Sequence, residues 1–195
     1  MASSNQYASK GEAVTLTCAY THPPGLDVTP TITWTKEGTD LTTGITTPST
    51  GVSLFTVASA AFTDNAEYAC KADFGKHGAV SGTGLKQYVR GILAQSVAYR
   101  KLVGRDIRLD CVAYGDDAGT GTWTKSGSAL TDSRYSDSTA TYSATTYSRT
   151  STLTISTSVA ADSATLTCSY SYATSPQTVS SNFEIVVLGK RSLFT

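Results

Sequence analysis

Gly11-Glu-Ala-Val14-Thr-Leu16-Thr-Cys18 returns later in the chain as Gly104-Arg-Asp-Ile107-Arg-Leu109-Asp-Cys111. In both copies a turn glycine precedes an apolar, apolar, cysteine series at a period of two. That is the spacing at which a β-strand sends side chains to one face. Working outward, Thr33-Trp34-Thr35-Lys36 recurs as Thr122-Trp123-Thr124-Lys125. Phe55-x-Val57 followed by Asp64-x-Ala66-x-Tyr68-x-Cys70 recurs as Leu153-x-Ile155 followed by Asp162-x-Ala164-x-Leu166-x-Cys168. Four matched elements in one order, at similar offsets, make the chain a duplication with a period of about 95 residues.

The order Cys, Trp, then Asp-x-Ala-x-Tyr-x-Cys resembles the immunoglobulin superfamily, and the likeness covers nearly the whole chain. It implies an all-β fold of two tandem Greek-key β-sandwiches, each with one disulfide between its sheets and a tryptophan packed against it. Carried over position by position, Cys18 pairs with Cys70 and Cys111 with Cys168, while Trp34 and Trp123 fill the two cores. Tyr68, two residues before its cysteine, matches the tyrosine-corner residue. Leu166 holds that place in the second copy and has no hydroxyl to offer. Arg134-Tyr135-Ser136 resembles the start of a variable-type strand D, which makes Arg134 and Asp162 a candidate ion pair. The short Trp34–Cys70 interval suits a C2- or I-like first domain, and the longer Trp123–Cys168 interval an I- or V-like second. The expected boundaries are 1–91 and 92–189, with a tail at 190–195. A last strand at Leu85–Arg90 closes domain 1, and one at Asn182–Leu188 closes domain 2. With no Pro/Gly/Ser-rich spacer at the join, a short linker and limited bending are expected.

Composition agrees with strands. Ser and Thr make roughly 30% of the chain, Tyr is abundant at 11, and there is a single Met. No window sustains an apolar repeat at i, i+3, i+4, i+7. A disordered Ser/Thr-rich stalk is disfavoured because apolar residues recur at strand spacing throughout. The formal net charge is zero, so no basic field exists to recruit nucleic acid or acidic lipid. Four cysteines in two separated pairs, without C-x-x-C, suit an oxidising compartment and disfavour zinc ribbons and thioredoxin-like chemistry. No run of about 18 apolar residues is present. The N-terminus has no signal-peptide core, so the chain is expected to be a fragment of an ectodomain whose membrane segment lies elsewhere.

Catalysis finds little support. His22 lies between strands B and C of the first copy and His77 between F and G, loops that share one end of such a sandwich. With Asp27 and Asp73 near, they are a conceivable metal site, but two exposed loop histidines are the weightier reading. Gly82-Thr-Gly84 and Gly119-Thr-Gly121 open no helix and are turns, not phosphate loops. Asp116-Asp117 reads as a solvated turn. No enzyme activity, catalytic residue, metal or cofactor is expected within the chain.

Binding is the better-supported class, since loops on a rigid sandwich carry recognition. Candidate contacts are His22, Asp27, Lys76 and His77 in domain 1, with Tyr170, Tyr172 and Pro176 around an F–G loop at Tyr172–Thr178 in domain 2. Tyrosine dispersed among serine and threonine makes adaptable surfaces. The resemblance implies an extracellular recognition or adhesion module of a cell-surface receptor, binding a protein ligand or copies of itself. The alternatives are the ligand-binding ectodomain of a signalling receptor or an innate immune recognition protein. Among signalling receptors the chain resembles the paired domains of sponge-like receptor tyrosine kinases, whose kinase would lie outside this chain.

Overall fold

The computed structural model describes residues 5–21, 25, 28–82, 84–93, 98–117, 119–174 and 177–189. The chain divides into two compact units, Met1–Arg90 and Gly91–Thr195.

The first unit holds β1 (Gln6–Ser9), β2 (Val14–Ala19), β3 (Thr31–Lys36), β4 (Thr39–Leu41), β5 (Ile45–Ser49), β6 (Val52–Val57), β7 (Ala66–Asp73), β8 (Ala79–Ser81) and β9 (Leu85–Ile92), the last running two residues past the unit's end. One sheet has the order β2-β6-β5. The other runs β9-β7-β3-β4, with β1 parallel to β9 and β8 extending the hairpin on β7. In β2 the side chains alternate strictly, with Val14, Leu16 and Cys18 buried and Thr15 and Thr17 exposed, as a strand with one wet face must.

The second unit repeats the plan. It holds β10 (Tyr99–Leu102), β11 (Ile107–Tyr114), β12 (Thr122–Lys125), β13 (Ser128–Ala129), β14 (Tyr135–Thr139), β15 (Ser148–Ile155), β16 (Ala164–Tyr172) and β17 (Gln177–Leu188). One sheet is β14-β15-β11, extended by Gly91 and Ile92 against Tyr114 and Ala113. Its partner is β10-β17-β16-β12-β13, with β10 parallel to β17.

Each sandwich is tied by one disulfide, Cys18–Cys70 and Cys111–Cys168, with Cα atoms 6.3 and 6.5 Å apart. They close loops with sequence separations of 52 and 57, each worth about 4 kcal/mol in the chain-entropy model. Trp34 and Trp123 sit in the two cores at 1% and 6% exposure. Each indole donates to a fully buried serine on the facing sheet, Ser53 at 3.0 Å and Ser151 at 2.8 Å. A buried indole N–H without an acceptor is costly, so the serine is part of the tryptophan's site.

Two expected boundaries shift. The last strand of domain 1, expected at about Leu85–Arg90, is β9 and runs on to Ile92, two residues past the compact unit. The final strand of domain 2 starts at Gln177, five residues before Asn182, because its ladder with β16 is unbroken from Ala164↔Ile185 to Tyr172↔Gln177. The tail 190–195 lies outside the described residues.

Candidate functional site

The turns before β7 and β16 show how the two copies diverge. In both, a 3-10 turn (Phe62–Asp64, Ala160–Asp162) ends in an aspartate that reaches back to a backbone N–H. Asp64 accepts from Ala61 at 2.9 Å and Asp162 from Val159 at 2.7 Å. In both, the lysine after the tryptophan crosses to the turn, Lys36 donating to the Thr63 carbonyl and Lys125 to that of Ala161, each at 2.7 Å.

Beyond that, the solutions differ. In domain 1 the Tyr68 hydroxyl donates to the Asp64 carbonyl at 3.2 Å, and Lys36 pairs with the Asp64 carboxylate at 3.0 Å. Burial, with Asp64 and Glu37 close by, pushes the Tyr68 phenol up from its ordinary value. In domain 2 Leu166 fills the tyrosine's place, and the polar load moves to the turn that leads into β14 and to the first residue of that strand. Arg134 places two nitrogens on Asp162, at 2.7 and 3.1 Å, and also grips Asp132 at 2.6 Å. The Tyr135 hydroxyl donates to Asp162 at 2.7 Å. Burial alone would push the Asp162 carboxyl up. Hydrogen bonds from Arg134, Tyr135 and the Val159 N–H, with the Arg134 charge, overrule it and hold the group down at about 2.

The candidate contact residues fare unequally. Tyr170 and Tyr172 are core side chains, at 0% and 2% exposure, and are withdrawn as contact residues. Their even-numbered positions on β16 share the inward face with Leu166 and Cys168. The Tyr170 ring also packs where Gly121 lacks a side chain, since a Cβ there would lie 2.8 Å from its Cζ. Tyr172 donates to the Tyr114 carbonyl. The expected F–G loop at Tyr172–Thr178 is correspondingly shorter, because strand structure reaches Tyr172 and resumes at Gln177. Pro176, like His22 and Asp27, lies outside the described residues.

Lys76 and His77 are exposed at the tip of the β7–β8 hairpin of domain 1. Three features brace this tip. Asp73 accepts from the Gly75 N–H at 2.9 Å and pairs with Lys71 at 3.0 Å. Phe74 is buried and meets Tyr20 edge-on at 6.4 Å. Gly78 turns the chain at φ 92°, where a side chain would strain it. The Lys71 ammonium and then the Gly75 N–H hold the Asp73 carboxyl below its usual range. Beside this end a cleft of about 290 Å³ is lined by Tyr20, Val28, Pro30, Ile32 and hydroxyls of β5, with no charged group. Among the described residues, no group of three or more His, Cys, Asp or Glu side chains gathers as a metal site would require.

One surface escaped the sequence reading. On β12, β16 and β17 the residues alternating with the core include the hydroxyls of Thr122, Thr124, Thr165, Thr167, Ser169, Ser171, Thr178 and Ser180, all exposed or half-exposed, with Asn182, Val186 and Leu188 toward the end of β17. They stand in cross-strand register, Thr122 opposite Ser169 and Thr124 opposite Thr167. The charged side chain on this face is Glu184, opposite Thr165. The signal was visible as a hydroxyl at alternate positions of T-W-T and T-L-T-C-S, but only the sheet order joins those strands into one face.

Among the described residues no helix is long and apolar enough to cross a membrane. No curated protein matches the chain in sequence. Among solved structures, a titin fragment (Titin-A168169) aligns with a TM-score of 0.58 at 18% identity, covering 94% of this chain and 95% of that one. The complex of Dpr2 Ig1-Ig2 with DIP-Theta Ig1-Ig3 aligns with a TM-score of 0.55 at 22% identity, over 95% of this chain and 62% of that one. At such identities the likeness is one of fold. The family described as Immunoglobulin domain matches residues 1–73 and 92–172, the segments that carry the two Cys–Trp–Cys cores. The chain belongs to the immunoglobulin-domain family and carries two copies of that domain in tandem.

Proposed function

We propose that this tandem is an extracellular recognition and adhesion module of a cell-surface receptor, and that it binds copies of itself. The observation that carries this reading is the hydroxyl-rich face of β12, β16 and β17 in domain 2, on which Glu184 is the one charged residue that those three strands contribute. Across a two-fold axis a surface meets itself, so any charge near the axis meets its like. A hydroxyl both donates and accepts, which makes a hydroxyl face complementary to its own copy. Two disulfides buried in the sandwich cores support an oxidising, extracellular setting. Zero formal net charge leaves no long-range repulsion between copies. The braced hairpin tip with Lys76 and His77 is a second contact point, and recognition, not catalysis, is the role of both.

Sedimentation velocity of the oxidised chain over a wide concentration range tests the reading. Reversible self-association is expected, and Thr167→Asp, which sets like charges across the axis, abolishes it. Sedimentation as a monomer at every concentration overturns the homophilic reading. Self-association that ignores Thr167→Asp but falls with Lys76→Ala and His77→Ala moves the contact to domain 1.

A further inference from the structure

The two disulfides of this chain occupy equivalent positions, yet their surroundings differ on one side. In domain 2, β16 and β17 form an unbroken ladder, and Ser181 stands opposite Cys168. Both cysteines there are fully buried. In domain 1 the matching strand is broken. Ser81 pairs with Lys71 and Leu85 with Tyr68, and β8 ends at Ser81 before β9 begins at Leu85, so no strand residue stands opposite Cys70 on that side among the described residues.

Gly82 is the residue beside the sulfur. Its N–H donates to the Cys70 carbonyl at 2.8 Å, and a Cβ on it would stand 3.1 Å from the Cys70 Sγ. Its φ lies outside the left-handed region, so the backbone conformation does not call for glycine. What glycine provides is the missing side chain over the sulfur. Cys70 retains 8% of its surface and Cys18 retains 4%, against none for Cys111 and Cys168.

We propose that Cys18–Cys70 is a thiol-exchange site, opened in the folded domain by an external dithiol through the gap at Gly82, while Cys111–Cys168 is closed to the same reagent. The class of co-reactant is a dithiol, either the active pair of a disulfide oxidoreductase or a small molecule. One of its thiolates attacks the Cys70 Sγ. The Cys18–Cys70 bond breaks, and Cys18 leaves with the electron pair as a thiolate that takes a proton from water. The reagent's second thiolate attacks the mixed disulfide, releasing Cys70 as a thiolate and closing the reagent's own disulfide. Two electrons pass from the reagent to the protein. The product has lost the covalent tie between β2 and β7, the strands that hold the domain 1 sheets together, while domain 2 keeps its own. A single reductant thereby alters one half of the tandem.

The test is timed reduction of the intact chain with dithiothreitol under native conditions, quenched with iodoacetamide and resolved by peptide mass spectrometry. Alkylation of Cys18 and Cys70 is expected at least about tenfold faster than that of Cys111 and Cys168, as thiol access dictates. The rate is expected to stay flat in low urea, because access through a local gap exposes little new surface. Gly82→Ala, tolerated by the backbone, is expected to slow the first bond about tenfold and leave the second unchanged. Equal rates for the two bonds overturn the proposal. So does a rate that climbs steeply with urea, which would mean reduction through unfolding of domain 1. If Gly82→Ala does not fold, the wild-type rate ratio and its urea dependence still decide.

Discussion

Replacing Asp162 with asparagine should cost domain 2 about 2–3 kcal/mol at neutral pH, and most of that cost should vanish in acid. The carboxylate is fully buried and accepts from Arg134, Tyr135 and the Val159 N–H, with Lys125 at 3.8 Å. Breaking a buried ion pair outright costs about 3–5 kcal/mol. Here Arg134 keeps Asp132 and part of its hydration, and the asparagine oxygen keeps one donor, so the loss is smaller. Linkage gives a second estimate. A carboxyl that titrates near 4 when unfolded and at about 2 when folded contributes about 2 kcal/mol after solvent screening. Because the folded value is the lower one, this stability is fully present above about pH 4 and fades as pH falls toward 2. Urea unfolding followed by Trp123 fluorescence, with Trp34→Phe removing the other signal, measures both quantities. A cost below about 0.5 kcal/mol at pH 7 would put the pair in the class of surface bridges. A cost as large at pH 2.5 as at pH 7 would mean packing, not charge. Either result refutes the electrostatic account.

Tyr68→Phe should destabilise domain 1 by about 1 kcal/mol through loss of its bond to the Asp64 carbonyl. The domain 2 transition, where Leu166 stands instead, should not move. Tyr172→Ala should cost domain 2 about 3–5 kcal/mol, read as a lower melting temperature of that domain by circular dichroism, because this ring is core and not contact surface.

The duplication, the strand periodicity and the two Cys–Trp–Cys cores were legible because each is local. Val14, Leu16 and Cys18 declare a strand face within five residues, and the second copy repeats the pattern with different side chains. The Arg134–Asp162 pair was legible through resemblance alone, since nothing over a sequence separation of 28 marks those two residues as neighbours. Its third member, Tyr135, reads in the sequence as part of a strand start and as one of the tyrosines dispersed among the serines and threonines of domain 2. The structure shows its hydroxyl meeting Asp162 in the copy that lacks a corner tyrosine. Ser53 and Ser151 recur two residues before Phe55 and Leu153, yet a serine in a strand reads as a wet-face residue until a buried indole N–H is found against it.

Tyr170 and Tyr172 mark the limit in the other direction. Their composition reads as a binding loop, and their parity with Cys168 already placed them on the inward face, but parity governs only while the strand lasts. How far β16 runs is set by its pairing with β17 out to Gln177, a contact between distant stretches of chain. By itself the sequence determined the duplication and the inward face of each strand, because the side-chain period is a property of short segments, and the family resemblance those segments carry implied the fold of each domain and its covalent tie. The tertiary structure alone decided which hydroxyls form one face, which tyrosines are core and which disulfide lies beneath a glycine, because each depends on register between strands that sequence does not place side by side.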